Sequence, residues 1–242
     1  MPDMMLSVVL DTPDFMVVNK AAGVPMHDNE NAIILLAQRL FSIDKLWLVH
    51  RLDTGTSGCI LLAKSKTAAS ELSQQFANRQ VQKYYFALID RKPKKKQGSV
   101  IGDMKKARNG DWKLSNELEN PAHTQFFSYP LPRSELVTQK THDTDPIAPA
   151  HRVCILKPIS GKTHQLRVAL KSLSAPIVGD RRYKGTPSDR MYLHSYAIQF
   201  SYQNVQHTAC CWPQSGTLFQ TISDMISHFS EPWLLQWPRH TK

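Results

Sequence analysis

Apolar residues fall along this chain in short runs separated by polar punctuation, and the period of each run predicts its conformation. Phe15-Met16-Val17-Val18 reads as a strand, stopped by Asn19-Lys20 and a turn through Ala21-Ala22-Gly23. Within 31–40, Ile33, Ile34, Leu36 and Leu40 recur at helical spacing. Residues 46–49 and 59–63 read as strands on either side of a polar loop. In 67–78, Ala68, Leu72 and Phe76 stand four apart and make one apolar helical stripe. Aromatic and branched residues predict a strand over 84–89. The segment 91–149 is the least regular, broken by Pro and Gly, with one strand expected near 124–127. Regular patterning returns with a strand over 151–156 and a helix over 165–173, whose Leu166, Leu170 and Leu173 share a face. A late pair of strands follows over 192–200 and 207–211, then a C-terminal helix over 219–229 through Ile222, Ile226 and Phe229. With no internal repeat and no long linker, one mixed α/β domain over 1–242 is the simplest account.

Composition supports a globular chain: 41% of the 242 residues are hydrophobic. No apolar stretch approaches the ~18 residues needed to span a bilayer. The N-terminal apolar run, Leu6 to Leu10, is short and has no basic segment before it, unlike a signal peptide. A soluble cytoplasmic protein is expected. Cys59, Cys154, Cys210 and Cys211 form no Cys-x-x-Cys pair and read as reduced, buried side chains. Charge changes the picture more. Lys and Arg number 30 against 20 Asp and Glu, a net charge of +10. Such an excess favours a polyanion, either nucleic acid or an anionic membrane face, and the plain alternative is a soluble protein that is simply basic. The run Arg91-Lys92-Pro93-Lys94-Lys95-Lys96 is a solvated loop tip in the plain reading and an RNA contact in the sharper one.

The loop between the strands at 46–49 and 59–63 reads His50-Arg51-Leu52-Asp53-Thr54-Gly55-Thr56-Ser57-Gly58. Asp53-Thr54-Gly55-Thr56 resembles the signature around the catalytic carboxylate of aspartic proteases. That chemistry needs two carboxylates sharing a proton. The other Asp-Thr pairs, Asp11-Thr12-Pro13 and Asp143-Thr144-Asp145, lack the glycine. Helices and chain length also disagree with the small, nearly all-β subunits of dimeric forms. The protease is therefore a remote alternative.

Reading outward from Asp53, the chain resembles the RluA-type RNA pseudouridine synthases. His50-Arg51-Leu52-Asp53, Thr56-Ser57-Gly58 and Leu61-Leu62-Ala63-Lys64 match that family's HRLDxxTSG and following AK pattern. Asp14-Phe15-Met16-Val17-Val18-Asn19-Lys20, with Gly23 and His27, resembles its first motif. Phe76 and then Lys83-Tyr84-Tyr85-Phe86-Ala87-Leu88 resemble F…KxYxAL. Gly161-Lys162-Thr163-His164-Gln165-Leu166-Arg167 resembles GRTHQIR, followed in order by Pro176-Ile177-Val178-Gly179-Asp180, Tyr183 and Arg190-Met191-Tyr192-Leu193-His194. The likeness spans about 14–212.

The resemblance implies a mixed, largely antiparallel sheet flanked by helices around a basic cleft, and an isomerase that turns uridines of structured RNA into pseudouridine. The reaction breaks the N1–C1′ bond and rejoins the base through C5, and it needs neither redox cofactor nor metal. A carboxylate can trap or stabilise the cleaved species, as in glycoside cleavage. The resemblance gives that role to Asp53, with Arg167 as its guanidinium partner, Tyr85 as the aromatic that stacks on the base, and Leu166 as a pocket wall. Tyr84, its neighbour on the strand, points to the opposite face. The target base must leave its stack, and the resemblance suggests that Arg51 fills the vacated space. Thr56 and His50 complete the substrate-binding set, His50 as a loop-fixing residue because the mechanism needs no imidazole.

Two departures bear on substrate choice. Ala21 follows Lys20 where relatives often carry Pro, and the stretch Val168 to Ala175 lacks the family's usual His and Gly-His pair. Thirteen residues precede the first motif, so the expectation is a short form without an S4 domain in front, recognising tRNA and/or large-subunit rRNA by itself as a monomer. The competing reading from another class is a catalytically inactive RNA-binding module; the presence of Asp53, Tyr85 and Arg167 argues against it.

Overall fold

The computed structural model describes residues 5–27, 30–131 and 152–238. The strands are β1 (Leu6–Asp11), β2 (Phe15–Lys20), β3 (Trp47–Leu48), β4 (Ser57–Ala63), β5 (Gln82–Ile89), β6 (Gln97–Gly102), β7 (Met104–Lys106), β8 (Trp112–Leu114), β9 (Ala122–Pro130), β10 (Arg152–Pro158), β11 (Leu193–Tyr202) and β12 (Val205–Cys210). The helices are α1 (Ile33–Phe41), α2 (Lys66–Ala77), α3 (Gln165–Ser172), α4 (Thr217–Thr221) and α5 (Ser223–Ser227). Mostly antiparallel strands with a few helices make this an α+β protein. Chain contacts group it into two compact units: residues 1–83 with 194–215, and residues 84–193 with 216–242.

In the first unit β1, β2 and β4 pair antiparallel, and β4 runs parallel to β11, which in turn carries β12 antiparallel. Strands β2 and β4 are buried on both faces, which is why they read as continuous apolar runs rather than alternating ones. Phe15 anchors the core, edge-on to Phe200 at 5.2 Å and Tyr202 at 5.3 Å. Helix α2 begins at Ser65, whose hydroxyl accepts the Ala68 N–H, and buries Ala68 and Leu72 in the same core. A residue with a side chain is excluded at Gly58, where φ is +113° and an added Cβ would overlap the Ser195 backbone. β1, unremarked in the sequence, is an edge strand with a bulge between Val8 and Leu10.

In the second unit β5, β10, β9 and β6 form an antiparallel series. Two expectations are corrected here. The irregular segment holds the strand expected near 124–127, as part of the nine-residue β9, and also β6 and the β7–β8 hairpin, which were not expected. β9 alternates buried and half-exposed positions, but Thr124 and Ser128 occupy two of the buried ones, so the pattern does not show as hydrophobic. Residues 132–149, and His151 at the start of the expected strand, lie outside the described residues. The single C-terminal helix is instead the two short helices α4 and α5, interrupted at Ile222 (φ −112°, ψ 13°). Adjacent β-branched Thr221 and Ile222 disfavour helix, while Ser223 and Asp224 suit a new first turn. Beyond them Trp233 and Trp237 pack on Tyr84 at 6.2 and 5.9 Å, and the Lys157 ammonium lies over both Tyr84 and Trp237. Tyr84 is thus committed to structure on one face of β5, and alternation turns Tyr85 to the other. The basic run after β5 is a loop with exposed cations, held at one end by the Arg91–Asp90 ion pair at 3.0 Å.

Candidate functional site

In the first unit the loop from Val49 to Thr56 leaves β3 and enters β4. Leu52 and Thr56 are buried, Asp53 is half-buried, and Arg51 is exposed. The Thr56 N–H donates to the Asp53 carbonyl at 2.9 Å and closes a turn between them. Lys20 holds this turn from beneath. It is 0% exposed, and its Nζ donates to the carbonyls of Ala21 and Val24, each at 3.0 Å, and of Thr54 at 3.2 Å. The Gly23 N–H reaches the same Thr54 oxygen at 2.8 Å. A buried ammonium satisfied by carbonyls fixes the backbone one residue beyond Asp53.

His50 does a second fixing job. β3 pairs with β4 only at Leu62 and Ala63, and β11 pairs with it at Ser57 and Gly58. The His50 Nε2 takes the Leu61 N–H at 2.8 Å, extending the ladder where β3 has ended. An accepting Nε2 must be unprotonated. Burial, and then the charge of Lys83, push the His50 pKa down to about 3. Its ring stacks on Phe76 at 4.4 Å, and the Lys83 ammonium lies 5.8 Å over that same ring, its own pKa pushed down to about 8 by burial. The far end of the loop is anchored by Ser57, whose Oγ is 2.8 Å from Nδ1 of the buried His194. The His194 Nε2 faces the Cys211 carbonyl at 2.8 Å, so Nε2 carries the proton and Nδ1 accepts from Ser57. Cys59, Cys154 and Cys211 are buried and unbridged, whereas Cys210 is only half-buried.

In the second unit Tyr85, Leu166 and Arg167 are all buried. Tyr85 lies opposite Leu156 of β10. Leu166 and Arg167 sit in the first turn of α3, and the side chain of Gln165 sets how that turn begins. Its Nε2 donates to the His123 carbonyl at 2.9 Å and Thr124 Oγ1 at 3.0 Å, and its Oε1 accepts from Ser160 Oγ at 2.8 Å and the Lys162 N–H at 3.0 Å. His164, just before the helix, adopts φ +56°. Arg167 is 9% exposed and Asp180 2%. They form a side-on pair, Nε to Oδ2 and Nη2 to Oδ1, both at 2.8 Å. That engages two of the five guanidinium donors. Asp180 in turn accepts the Tyr183 N–H at 3.3 Å and opens the 3-10 turn Arg181–Tyr183. Arg167 lies 5.0 Å over the Tyr183 ring.

Of the residues singled out in the sequence, Asp53, Arg51, His50 and Thr56 therefore share one loop, and Tyr85, Leu166 and Arg167 belong to the other unit. Lys20, Gln165, Asp180 and Tyr183 all stand inside the quoted motifs, but nothing in a linear reading says what they hold. A lysine ending an apolar strand and an aspartate after a glycine turn were the available signals. Among the described residues no group of three or more His, Cys, Asp or Glu side chains is arranged to hold a metal ion, and no helix is long and apolar enough to cross a membrane.

A family model described as RNA pseudouridylate synthase matches residues 14–172. The chain is 41% identical over 238 residues to an uncharacterized RNA pseudouridine synthase of Haemophilus influenzae, covering 96% of this chain and 99% of that protein. It is 31% identical over 212 residues to the dual-specificity RNA pseudouridine synthase RluA of Escherichia coli K12, covering 81% and 87%. Among solved structures it resembles human RNA pseudouridylate synthase domain containing 1, with a TM-score of 0.68, 26% identity, and coverage of 87% of this chain and 85% of that one. By the family model and by the Haemophilus influenzae relative, the chain belongs to the RNA pseudouridylate synthase family, the isomerases that convert uridine in RNA to pseudouridine.

Proposed function

We propose that this chain converts specific uridines of tRNA and/or large-subunit rRNA to pseudouridine with Asp53 as the essential carboxylate. The observation that carries the reading is the construction of the Asp53 loop: Leu52 and Thr56 are buried, Lys20 holds the Thr54 carbonyl and His50 holds the Leu61 N–H, while Asp53 itself is half-buried and Arg51 exposed. A fixed carboxylate with an accessible cation two residues before it suits a base extracted from its stack. In this reading, which follows the resemblance, Arg167 is the guanidinium partner of Asp53, and Tyr85 stacks on the base. Leu166 walls the pocket, and Arg51 occupies the space that the base leaves. His50 and Thr56 serve by shaping the loop.

The reaction needs no redox cofactor or metal from the protein in this account. The excess of 30 cations over 20 anions supports binding to RNA phosphates. The protein acts as one catalytic domain over 1–242, as a monomer and in the cytoplasm. The test incubates tRNA and rRNA from a strain lacking the gene with purified protein and maps pseudouridine. Wild type is expected to add it at defined positions, and a folded Asp53→Asn to add none. Equal activity of the two would end the assignment.

A further inference from the structure

The Arg167–Asp180 pair extends into a network that no part of the reaction above uses. The Tyr183 ring lies under the Arg167 guanidinium, with Cζ 5.0 Å from the ring centre, within cation–π range. The Tyr183 hydroxyl leads elsewhere. Its oxygen accepts the backbone N–H of Trp112 at 3.1 Å, and Nδ1 of His164 lies 2.9 Å from it. Trp112 opens β8, the second strand of the β7–β8 hairpin. A second tie, from Arg182 Nη1 to Asp111 Oδ1 at 3.0 Å, joins the same hairpin to the same 3-10 turn. The hairpin projects Lys105, Lys106, Arg108 and Lys113 as exposed cations, with the Lys106 ammonium 6.0 Å over the Trp112 ring. One buried tyrosine therefore carries the arginine on its face and the cationic arm on its hydroxyl.

We propose that Tyr183 is a positioning residue that couples RNA docking on the β7–β8 hairpin to the orientation of Arg167. This rests on the reading of Arg167 as the partner of the catalytic carboxylate. Cations on a two-stranded arm suit the phosphate backbone of structured RNA, a contact that positions without reading sequence. The arm is held at Trp112 by a main-chain N–H on the Tyr183 hydroxyl and at Asp111 by Arg182, so a shift of the arm is felt at the 3-10 turn that carries the Tyr183 ring. A docked RNA that draws the arm in also loads the ring beneath Arg167.

The two functions of the side chain separate by substitution. Tyr183→Phe keeps the ring and removes the hydroxyl; Tyr183→Leu removes both. The assay is pseudouridine formation on an unmodified tRNA transcript, or on a large-subunit rRNA fragment if wild type modifies only that. Tyr183→Phe is expected to raise KM about fivefold and to lower kcat by less, whereas Tyr183→Leu lowers kcat about tenfold or more. A Lys105→Gln, Lys106→Gln, Lys113→Gln triple variant should raise KM as Tyr183→Phe does; it remains informative if Tyr183→Leu does not fold. Wild-type KM for both Tyr183→Phe and the triple variant would overturn the inference, as would parallel loss of kcat and KM in both tyrosine variants. Arg167→Lys is measured alongside. If it is as active as wild type, the reading of Arg167 itself fails; if it is impaired while the tyrosine variants show no split, only the coupling fails.

Discussion

Asp180 offers the sharpest test of how the second unit is held together. Its carboxylate is 2% exposed, makes two 2.8 Å bonds to Arg167, and accepts the Tyr183 N–H that begins the 3-10 turn. Asp180→Ala removes all three acceptor contacts and leaves a buried guanidinium without its side-on partner. Breaking a buried pair from one side costs about 3–5 kcal/mol. The lower end, about 3 kcal/mol, is expected here because the guanidinium keeps its contact with the Tyr183 ring. Asp180→Asn keeps one acceptor oxygen and should cost about half of that. Urea unfolding followed by circular dichroism measures both by linear extrapolation. A double-mutant cycle with Arg167→Met should return a coupling of at least about 1.5 kcal/mol, since the two side chains are in direct contact. A loss below about 1 kcal/mol for Asp180→Ala would refute the reasoning, because a pair this buried cannot then be carrying the turn.

Gly58→Ala places a methyl group against the Ser195 backbone at φ +113°, and should cost at least about 3 kcal/mol or abolish soluble expression; near-wild-type urea unfolding would contradict the close approach. For His50 the folded pKa of about 3 lies below the ordinary value of 6.5. On acidification the unfolded chain takes up the proton first, so this contribution is complete above about pH 6.5 and falls away between there and about pH 3. Between pH 7.5 and 5, wild type should lose up to about 2 kcal/mol more stability than His50→Gln. Parallel losses in urea titrations at the two pH values would remove the claim that the imidazole is held neutral.

Much of this protein was legible in one dimension. The strands β2, β4 and β5 and the helices α1, α2 and α3 follow from local period, because a segment buried on one or both faces must present apolar residues at its own repeat. The candidate loop was legible too, since strand signals bracket it and its motif resembles a known one. The strands β6 to β8, and the extent of β9 beyond the expected 124–127, were not, because the buried positions of β6 and β9 include Gly102, Ala122, Thr124 and Ser128, which fit a crowded interior without looking hydrophobic. The broken C-terminal helix turned on competition between residue types at 221–224 rather than on periodicity.

The sequence by itself thus determined most of the elements, the charge and the loop that carries Asp53. Only the tertiary structure decided what holds those residues still. Ser57 meets His194 across 137 positions, Trp112 meets Tyr183 across 71, and Lys20 reaches Thr54 across 34. Such partners share no local period. They are chosen by the requirement that every polar group taken out of water find a donor or acceptor, and that requirement is met only where the folded chain brings distant strands and turns together.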